Sequence, residues 1–502
     1  MLRPAMDYRQ MQYSIGDCIR YWAERLADEP AIVDEAGEIS WRDLDRSTNR
    51  LARAYRDAGV GEGDFVTIML PNGREFYQAS IAAWKVGAIP QPISARMPPA
   101  ERSAIIDIVS PRLIVGSEGE QTSVPQLPAG FLPDPALSDE AMDYPAPPYW
   151  KAVASGGSTG RPKVIVSRQP GIFDPLAPEF RMSVQGRQLV AGPLYHNASF
   201  MCSSRGLFCG NRLIVMERFD AERALDLIDR HRIDWTIMVP TMMHRIARLP
   251  AEVRDRHDIS SLRTVVHTAA PCPPWLKAEW IEWLGADVVQ EAYGGTEGCG
   301  TTWISGEEWL ARPGSVGRAV EGCAIKVVDD AGQPVPAGVI GEVYMRPDSG
   351  PGSTYFYLGG ESRRSEDGWE TIGDMGHVDE EGYLFLADRR TDLIISGGAN
   401  VYPAEVEAAI DAFPGVRSSA VIGLPDDDLG NRVHAIIDAA TQIDPEALKR
   451  HLAERIVRYK IPRTFEFVAD SVRDEAGKVR RSALRAARMD GSDNKAGAAN
   501  RA

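Results

Sequence analysis

Ser155-Gly156-Gly157-Ser158-Thr159-Gly160-Arg161-Pro162-Lys163 places three glycines, three hydroxyl side chains and two cations within nine residues, directly after the apolar-leaning run Trp150 to Ala154. Glycines let backbone N–H groups turn inward around an anion, and hydroxyls add donors. Arg161 and Lys163 supply opposite charge for a phosphate. The stretch is not the P-loop pattern, because Pro162 stands where that motif needs Gly before its Lys. Alone it reads equally well as a flexible surface loop, the usual fate of a Gly/Ser cluster. What flanks it decides the matter.

Upstream, Tyr13–Ala27 reads as a helix and Phe65–Leu70 as a buried strand closed by Pro71-Asn72-Gly73. A helical pattern follows from Arg74 to Val86, then a short strand at Ala88–Gln91, a helix after Pro98-Pro99 and a strand at Arg112–Val115. Strands alternating with helices at this spacing imply βαβ units and a parallel sheet. Gln121–Tyr149 is Pro-rich and aperiodic, an irregular connection into the glycine stretch.

The alternation returns downstream. Strands at Arg212–Glu217, Ile233–Val239, Leu262–Thr268 and Asp287–Gln290 enclose helices capped by Asp220 or running over Thr241–Leu249 and Pro274–Leu284. That is a second doubly wound layer. Short alternating strands with Gly-rich turns from Gly314 to Met345 describe an antiparallel piece. After about Arg390 the order becomes strand, helix, two strands, helix, strand, a separate small α+β unit of roughly a hundred residues. The expected fold is therefore α/β, with a large N-terminal domain of doubly wound parallel sheets plus a small antiparallel β piece over 1–389. A small mobile α+β C-terminal domain follows over 390–486, with a disordered tail over 487–502.

Composition narrows the function class. The net charge of −15, from 56 basic and 71 acidic residues, argues against a general nucleic-acid or anionic-membrane binder, yet permits a local basic pocket. The six cysteines (Cys18, Cys202, Cys209, Cys272, Cys299, Cys323) are scattered without a CxxC pair, which favours packed thiols over zinc or disulfides. No apolar run is long enough to span a membrane, and Met1 to Tyr13 lacks a signal pattern, so the expected location is cytoplasmic.

Four further stretches carry chemistry. Tyr293-Gly294-Gly295-Thr296-Glu297 follows an expected strand, at the carboxyl end where open α/β sheets place ligands. A hydroxyl beside a carboxylate suits a phosphate oxygen and a Mg²⁺, which prefers a carboxylate plus substrate phosphates. Trp369-Glu370-Thr371-Ile372-Gly373-Asp374 sets a carboxylate after Gly, fit to accept two ribose hydroxyls. Asp388 to Asn400 combines charged turn residues, an apolar strand and the pair Gly397-Gly398 at the composition boundary, a hinge and a close-approach loop. Gly477-Lys478-Val479-Arg480 sits in a basic turn near the end. Taken singly, each is as easily an exposed turn.

Their joint order resembles the superfamily of adenylate-forming enzymes: acyl-CoA synthetases, peptide-synthetase adenylation domains and luciferases. The resemblance runs from about Tyr13 to Leu484. It implies that Ser155, Gly157, Ser158, Thr159, Gly160 and Lys163 hold the ATP β- and γ-phosphates. Thr296 would touch the α-phosphate, and Glu297 would bind Mg²⁺. Tyr293 would lie against the adenine, with Asp374 and Arg389 on the ribose hydroxyls. Lys478 would reach from the small domain to the substrate carboxylate and the α-phosphate, and Gly398 would border the pantetheine arm of CoA. His196, after Pro193-Leu194-Tyr195, is similar to the family's gate beside the carboxylate; a packing histidine is an equal reading.

Thr391 stands where the family usually carries Lys or Asp at its hinge, and Gly156 and Val164 also depart from the common pattern. Ser-Gly-Gly-Ser-Thr-Gly, together with His267-Thr268-Ala269-Ala270-Pro271-Cys272-Pro273, resembles acid–CoA ligases of the bile-acid–CoA-ligase type. The resemblance implies ATP-dependent conversion of a carboxylic acid to an acyl-adenylate, followed by transfer to CoA. Small residues at Ala269, Ala270, Gly294 and Gly295 leave room for a bulky apolar, aromatic or fatty acid. Transfer to an amine, as in amide synthetases, shares every motif quoted. A non-catalytic binding relative is disfavoured by the presence of both Lys163 and Lys478.

Overall fold

The computed structural model describes residues 12–117, 119–155, 162–426, 428–439, 441–475 and 477–489; the side chains of Ser155 and Arg389 lie outside that description. The glycine stretch from Gly156 to Arg161, with the expected phosphate ligands Gly157, Ser158, Thr159 and Gly160, also lies outside the described residues.

The largest sheet has 15 strands and changes character halfway. One half is parallel throughout, running Pro30–Asp34, Arg212–Val215, Arg187–Val190, Trp235–Met238, Thr264–His267 and Val289–Gly294 from neighbour to neighbour. The other half is antiparallel, entered through Thr301–Ser305 and Ser315–Ala319 and continuing to Leu384–Arg389, Asp374–Val378 and Gly341–Pro347. Strands of the parallel half are buried on both faces, as Thr264–His267 is at all four positions, because helices cover both sides. The doubly wound layer and the antiparallel piece are both present, fused into one sheet.

A second, wholly parallel sheet orders Ile89–Pro92, Phe65–Ile68, Leu113–Val115 and Gln126–Leu127. A third sheet is an antiparallel triplet of Ala152–Ser155, Lys163–Ser167 and Tyr355–Leu358. It fixes the two ends of the glycine stretch. Ser155 pairs with Lys163 directly across the hairpin.

Several elements escape the alternation read above, among them two strands and two helices of the large domain. Pro30–Asp34 and Gly37–Ser40 form a hairpin on the edge of the large sheet, followed by the helix Trp41–Asp57. The Ser40 hydroxyl caps that helix by accepting the Asp43 N–H at 3.1 Å, in keeping with serine's preference for this position. The helix Asn197–Phe208 is buried almost all round, which removes the periodic polar face that marks a surface helix. Its Phe200 and Phe208 pack with Trp84 and Trp150 in the main core.

The C-terminal part has its own apolar core, built from Ile394, Val401, Val406, Ile410, Val421, Val433, Ile437 and Leu448 among others. A three-stranded sheet of Val416–Asp426, Gly430–Ala439 and Thr464–Val468 packs against helices Pro403–Asp411 and Pro445–Ala453. A last helix covers 481–489. Within it, the Arg488 guanidinium binds the Glu466 carboxylate at 2.6 and 2.7 Å. Residues 490–502 lie outside the described residues.

Candidate active site

Carboxyl ends of the parallel strands converge on one cleft, the place where open α/β sheets bind ligands. Val190 leads to Pro193-Leu194-Tyr195-His196, Met238 to Val239-Pro240-Thr241, His267 to Ala269, and Gly294 to Thr296-Glu297; most of these residues line a cleft of about 3170 Å³ shared with the small domain. Ala269 holds φ +74, a left-handed backbone that costs an alanine energy and is expected only where the surroundings enforce it.

Asn72 ties the first of these loops to the second sheet. Its amide donates to the carbonyls of Gly192 and Met216 at 2.9 and 3.1 Å, and its carbonyl accepts the Leu194 N–H at 2.9 Å. That places Tyr195 and His196 at the cleft mouth, with His196 at the start of helix Asn197–Phe208.

Lys163 and Glu297 come together from different sheets. Their charged atoms lie 3.9 Å apart, and the Lys163 ammonium sits 3.9 Å from the centre of the Tyr357 ring. The Tyr357 hydroxyl donates to Glu297 Oε1 at 2.6 Å. Burial and the Glu297 charge push the Tyr357 hydroxyl well above its usual pKa, keeping it a donor. Glu297 Oε2 takes no hydrogen bond among the described residues. It faces Gly295, where an added Cβ would come within 2.7 Å of it. One buried carboxylate with a spare oxygen fits Mg²⁺, which completes its shell with phosphate oxygens and water. No cluster of three or more His, Cys, Asp and Glu exists among the described residues to hold a metal alone.

Tyr293 and Asp374 meet across the large sheet, the hydroxyl donating to Asp374 Oδ2 at 2.7 Å. Asp374 is cross-strand partner of Arg389 in the antiparallel half, which brings that position to the same edge of the cleft.

Lys478 reaches the cleft on a tight turn of the small domain. The Asp474 N–H donates to the Lys478 carbonyl and the Lys478 N–H to Asp474 Oδ1, both at 2.9 Å, with Gly477 at φ +74 between them. An added Cβ on Gly477 would lie 3.2 Å from the Thr241 hydroxyl, so the turn abuts the large domain directly. Arg473 braces it, donating to the Gly477 carbonyl at 3.1 Å and to buried Glu407 at 2.7 Å. The positive charge of Lys478 is felt at His196. Burial first, then Lys478, hold the His196 ring down to about 4 against a partly offsetting Asp474, so the imidazole is neutral at ordinary pH.

Gly398 does not join this group. It lies at φ +79 in the turn of the Ile394–Ser396/Ala399–Val401 hairpin, outside the cleft lining. Residues without a legible sequence signal also enter the site. Tyr357 holds Glu297, while Glu475 receives Tyr195 and Arg96 across the domain boundary, both at 3.1 Å. Buried Lys151 lines the cleft as well, concealed in a run read as apolar.

Comparison with known proteins agrees with this geometry. The family model for AMP-binding enzyme matches residues 19–357, and that for the AMP-binding enzyme C-terminal domain matches 405–478. Feruloyl-CoA synthase of an Amycolatopsis species is 32% identical over 483 residues, covering 92% of this chain and 96% of that protein. The o-succinylbenzoate CoA synthetase MenE of Bacillus subtilis, solved with its acyl-adenylate intermediate, superposes with TM-score 0.80 at 25% identity, covering 95% of this chain and 99% of that one. The amide bond synthetase McbA of Marinactinospora thermotolerans superposes with TM-score 0.77 at 25% identity, covering 94% and 99%. The chain belongs to the AMP-binding enzyme family, the adenylate-forming enzymes.

Proposed function

We propose that this protein is an ATP-dependent acid–CoA ligase of the AMP-forming kind. A carboxylate oxygen of the acid attacks the ATP α-phosphorus and pyrophosphate leaves. The CoA thiol then attacks the acyl carbon, loses its proton, and AMP leaves. The observation that carries the reading is the convergence of Lys163, Glu297 and Lys478 on one cleft from both domains. Bringing a carboxylate to a triphosphate opposes two anions, and positioned cations offset that repulsion.

In this reading Ser155, Gly157, Ser158, Thr159, Gly160 and Lys163 hold the departing pyrophosphate. Thr296 contacts the α-phosphate, and Glu297 would supply the protein ligand of Mg²⁺. Tyr293 packs against the adenine, while Asp374 and Arg389 accept and position the ribose. Lys478 neutralises charge between acid and α-phosphate. Neutral His196 cannot serve as a cation, so its role is to border the carboxylate. The small domain, taken as 390–486, then rotates about Thr391 so that Gly398 borders the CoA arm. The net charge of −15 disfavours a nucleic-acid or anionic-membrane partner and suits an enzyme acting on small molecules, and a cytoplasmic location is part of this reading.

A second reading replaces CoA by an amine. The likeness to the amide bond synthetase and the unusual sequence Asp474-Glu475-Ala476 before Gly477 favour it. One assay separates the two: purified protein, ATP, Mg²⁺ and a panel of carboxylic acids, with CoA or amines added in parallel. Acyl-CoA formation supports the first reading, and amide without thioester the second. Absence of pyrophosphate release with every acid defeats both.

A further inference from the structure

Lys151 is 5% exposed and stands immediately before the strand Ala152–Ser155 that leads into the glycine stretch. Its ammonium donates to the Asn197 side-chain carbonyl at 2.5 Å, and no carboxylate lies within 4 Å of it among the described residues. Asn197 follows His196 directly, at the end of the cleft where Lys478 enters. Lys151 therefore sits one side chain away from the region that receives the acid.

Around it the charge balance is wrong for a structural ion pair. The charge that acts on it most strongly is a second cation, Arg205, on the same helix as Asn197. Both flank the Trp150 ring, with Lys151 Nζ at 5.1 Å and Arg205 Cζ at 5.6 Å from its centre. Arg205 has its own partner in Glu179. Burying an amine without a counter-charge is costly, and an apolar side chain would line a hydrocarbon pocket at less cost. Burial first, and Arg205 next, hold the Lys151 amine down to about 7, with Cys202 and Glu297 opposing; amine and ammonium forms are both accessible near neutrality. Either form keeps an N–H to spare after Asn197 is served, and the Asn197 amide adds two more donors. Together with Met201, Cys202 and Ile237, these groups line the cleft as a donor-rich spot in an otherwise apolar wall.

We infer that Lys151 is a specificity-determining residue that donates a hydrogen bond to an oxygen substituent on the body of the acid, distinct from the carboxylate that is activated. The substrate class is thus an acid bearing a ring or chain oxygen acceptor, such as a phenol, aryl ether or ketone. This rests on the acid-activating function proposed above.

The test uses the native protein and acids matched except for one oxygen: cinnamic against 3- and 4-hydroxycinnamic, phenylacetic against its hydroxy forms, and decanoic against 10-hydroxydecanoic. Pyrophosphate release gives kcat/KM for each. The expected result is a preference of about tenfold or more for the oxygen-bearing member of at least one pair, the scale set by leaving a buried donor unpaired. Lys151→Met, matched in length and apolar, should bring that ratio to within about threefold of unity, with KM for ATP unchanged. Equal use of both members of every pair by the native protein overturns the inference without any variant. So does a ratio that survives Lys151→Met, which would leave Lys151 only a support for Asn197. A raised KM for ATP at constant ratio overturns it too, assigning the amine to the triphosphate. If no acid releases pyrophosphate, the acid-activating function falls and the inference falls with it.

Discussion

The Tyr195 hydroxyl on the large domain donates to the Glu475 carboxylate on the small domain at 3.1 Å, and Arg96 meets the same carboxylate at 3.1 Å. Both contacts cross the domain boundary beside Lys478, so they hold the small domain in the arrangement that presents this lysine. Arg96 and Glu475 are 58% and 53% exposed, and an exposed pair contributes about 0–1 kcal/mol. Arg96→Ala should therefore slow acyl-adenylate formation by no more than about fivefold, and Glu475→Ala somewhat more. Rapid-quench measurement of the two half-reactions checks this. An equal slowing of acyl transfer by Glu475→Ala would contradict a role confined to this arrangement.

Lys478→Ala should cut adenylate formation by orders of magnitude, because it removes the cation at the reacting phosphorus. Acyl-adenylate supplied from outside should still react with the acceptor at near-native rate. Loss of both half-reactions in equal measure would sink the two-arrangement account.

His196 should titrate near 4 in the native protein, seen by NMR of ring-labelled histidine and assigned with His196→Asn. Its folded pKa lies below the unfolded value, so between about 4 and about 6.5 the unfolded chain binds the extra proton. The contribution to stability is complete above that window and is lost as pH falls through it. Lys478→Met should raise the ring pKa, but only part of the way, since burial is the larger cause and Arg480 remains. A ring that titrates unchanged in Lys478→Met would mean that the two groups do not face each other in solution.

Asp374→Ala should raise KM for ATP by about 10- to 100-fold, the range for losing hydrogen bonds to a charged acceptor. Tyr293→Phe should do less, since it removes only the 2.7 Å bond that orients the carboxylate. Kinetics with 2′,3′-dideoxy-ATP sharpen the test. The native protein should discriminate against it, and Asp374→Ala should not. Persistent discrimination in the variant would place the ribose elsewhere.

Much of this architecture was legible because the strands of an α/β sheet are continuous apolar runs bounded by turns. The helix Pro274–Leu284 begins and ends where its pattern does. Asn197–Phe208 was illegible for the opposite reason. Ser199, Ser203, Ser204 and Gly206 are buried in close packing, so polarity did not track exposure. Lys151 was hidden by the apolar residues around it, and nothing local announces a lysine that turns into a cleft. Tyr357 and Glu475 act through partners distant in sequence, Glu297 and Tyr195, and only folding creates those pairs. Gly398 shows the reverse case, a motif plain in sequence that stands outside the cleft in this arrangement.

The contacts joining the two domains have a consequence for the medium in which the protein works. Arg96–Glu475 and Arg480–Glu101 are solvent-facing pairs of opposite charge, at 3.1 and 3.6 Å. Charges of this kind are screened as the Debye length falls from about 10 Å at 0.1 M to about 3 Å at 1 M salt. Ionic strength thereby becomes a dial on domain position: salt should slow the step that needs the domains joined as seen here and spare or hasten the one that needs them released.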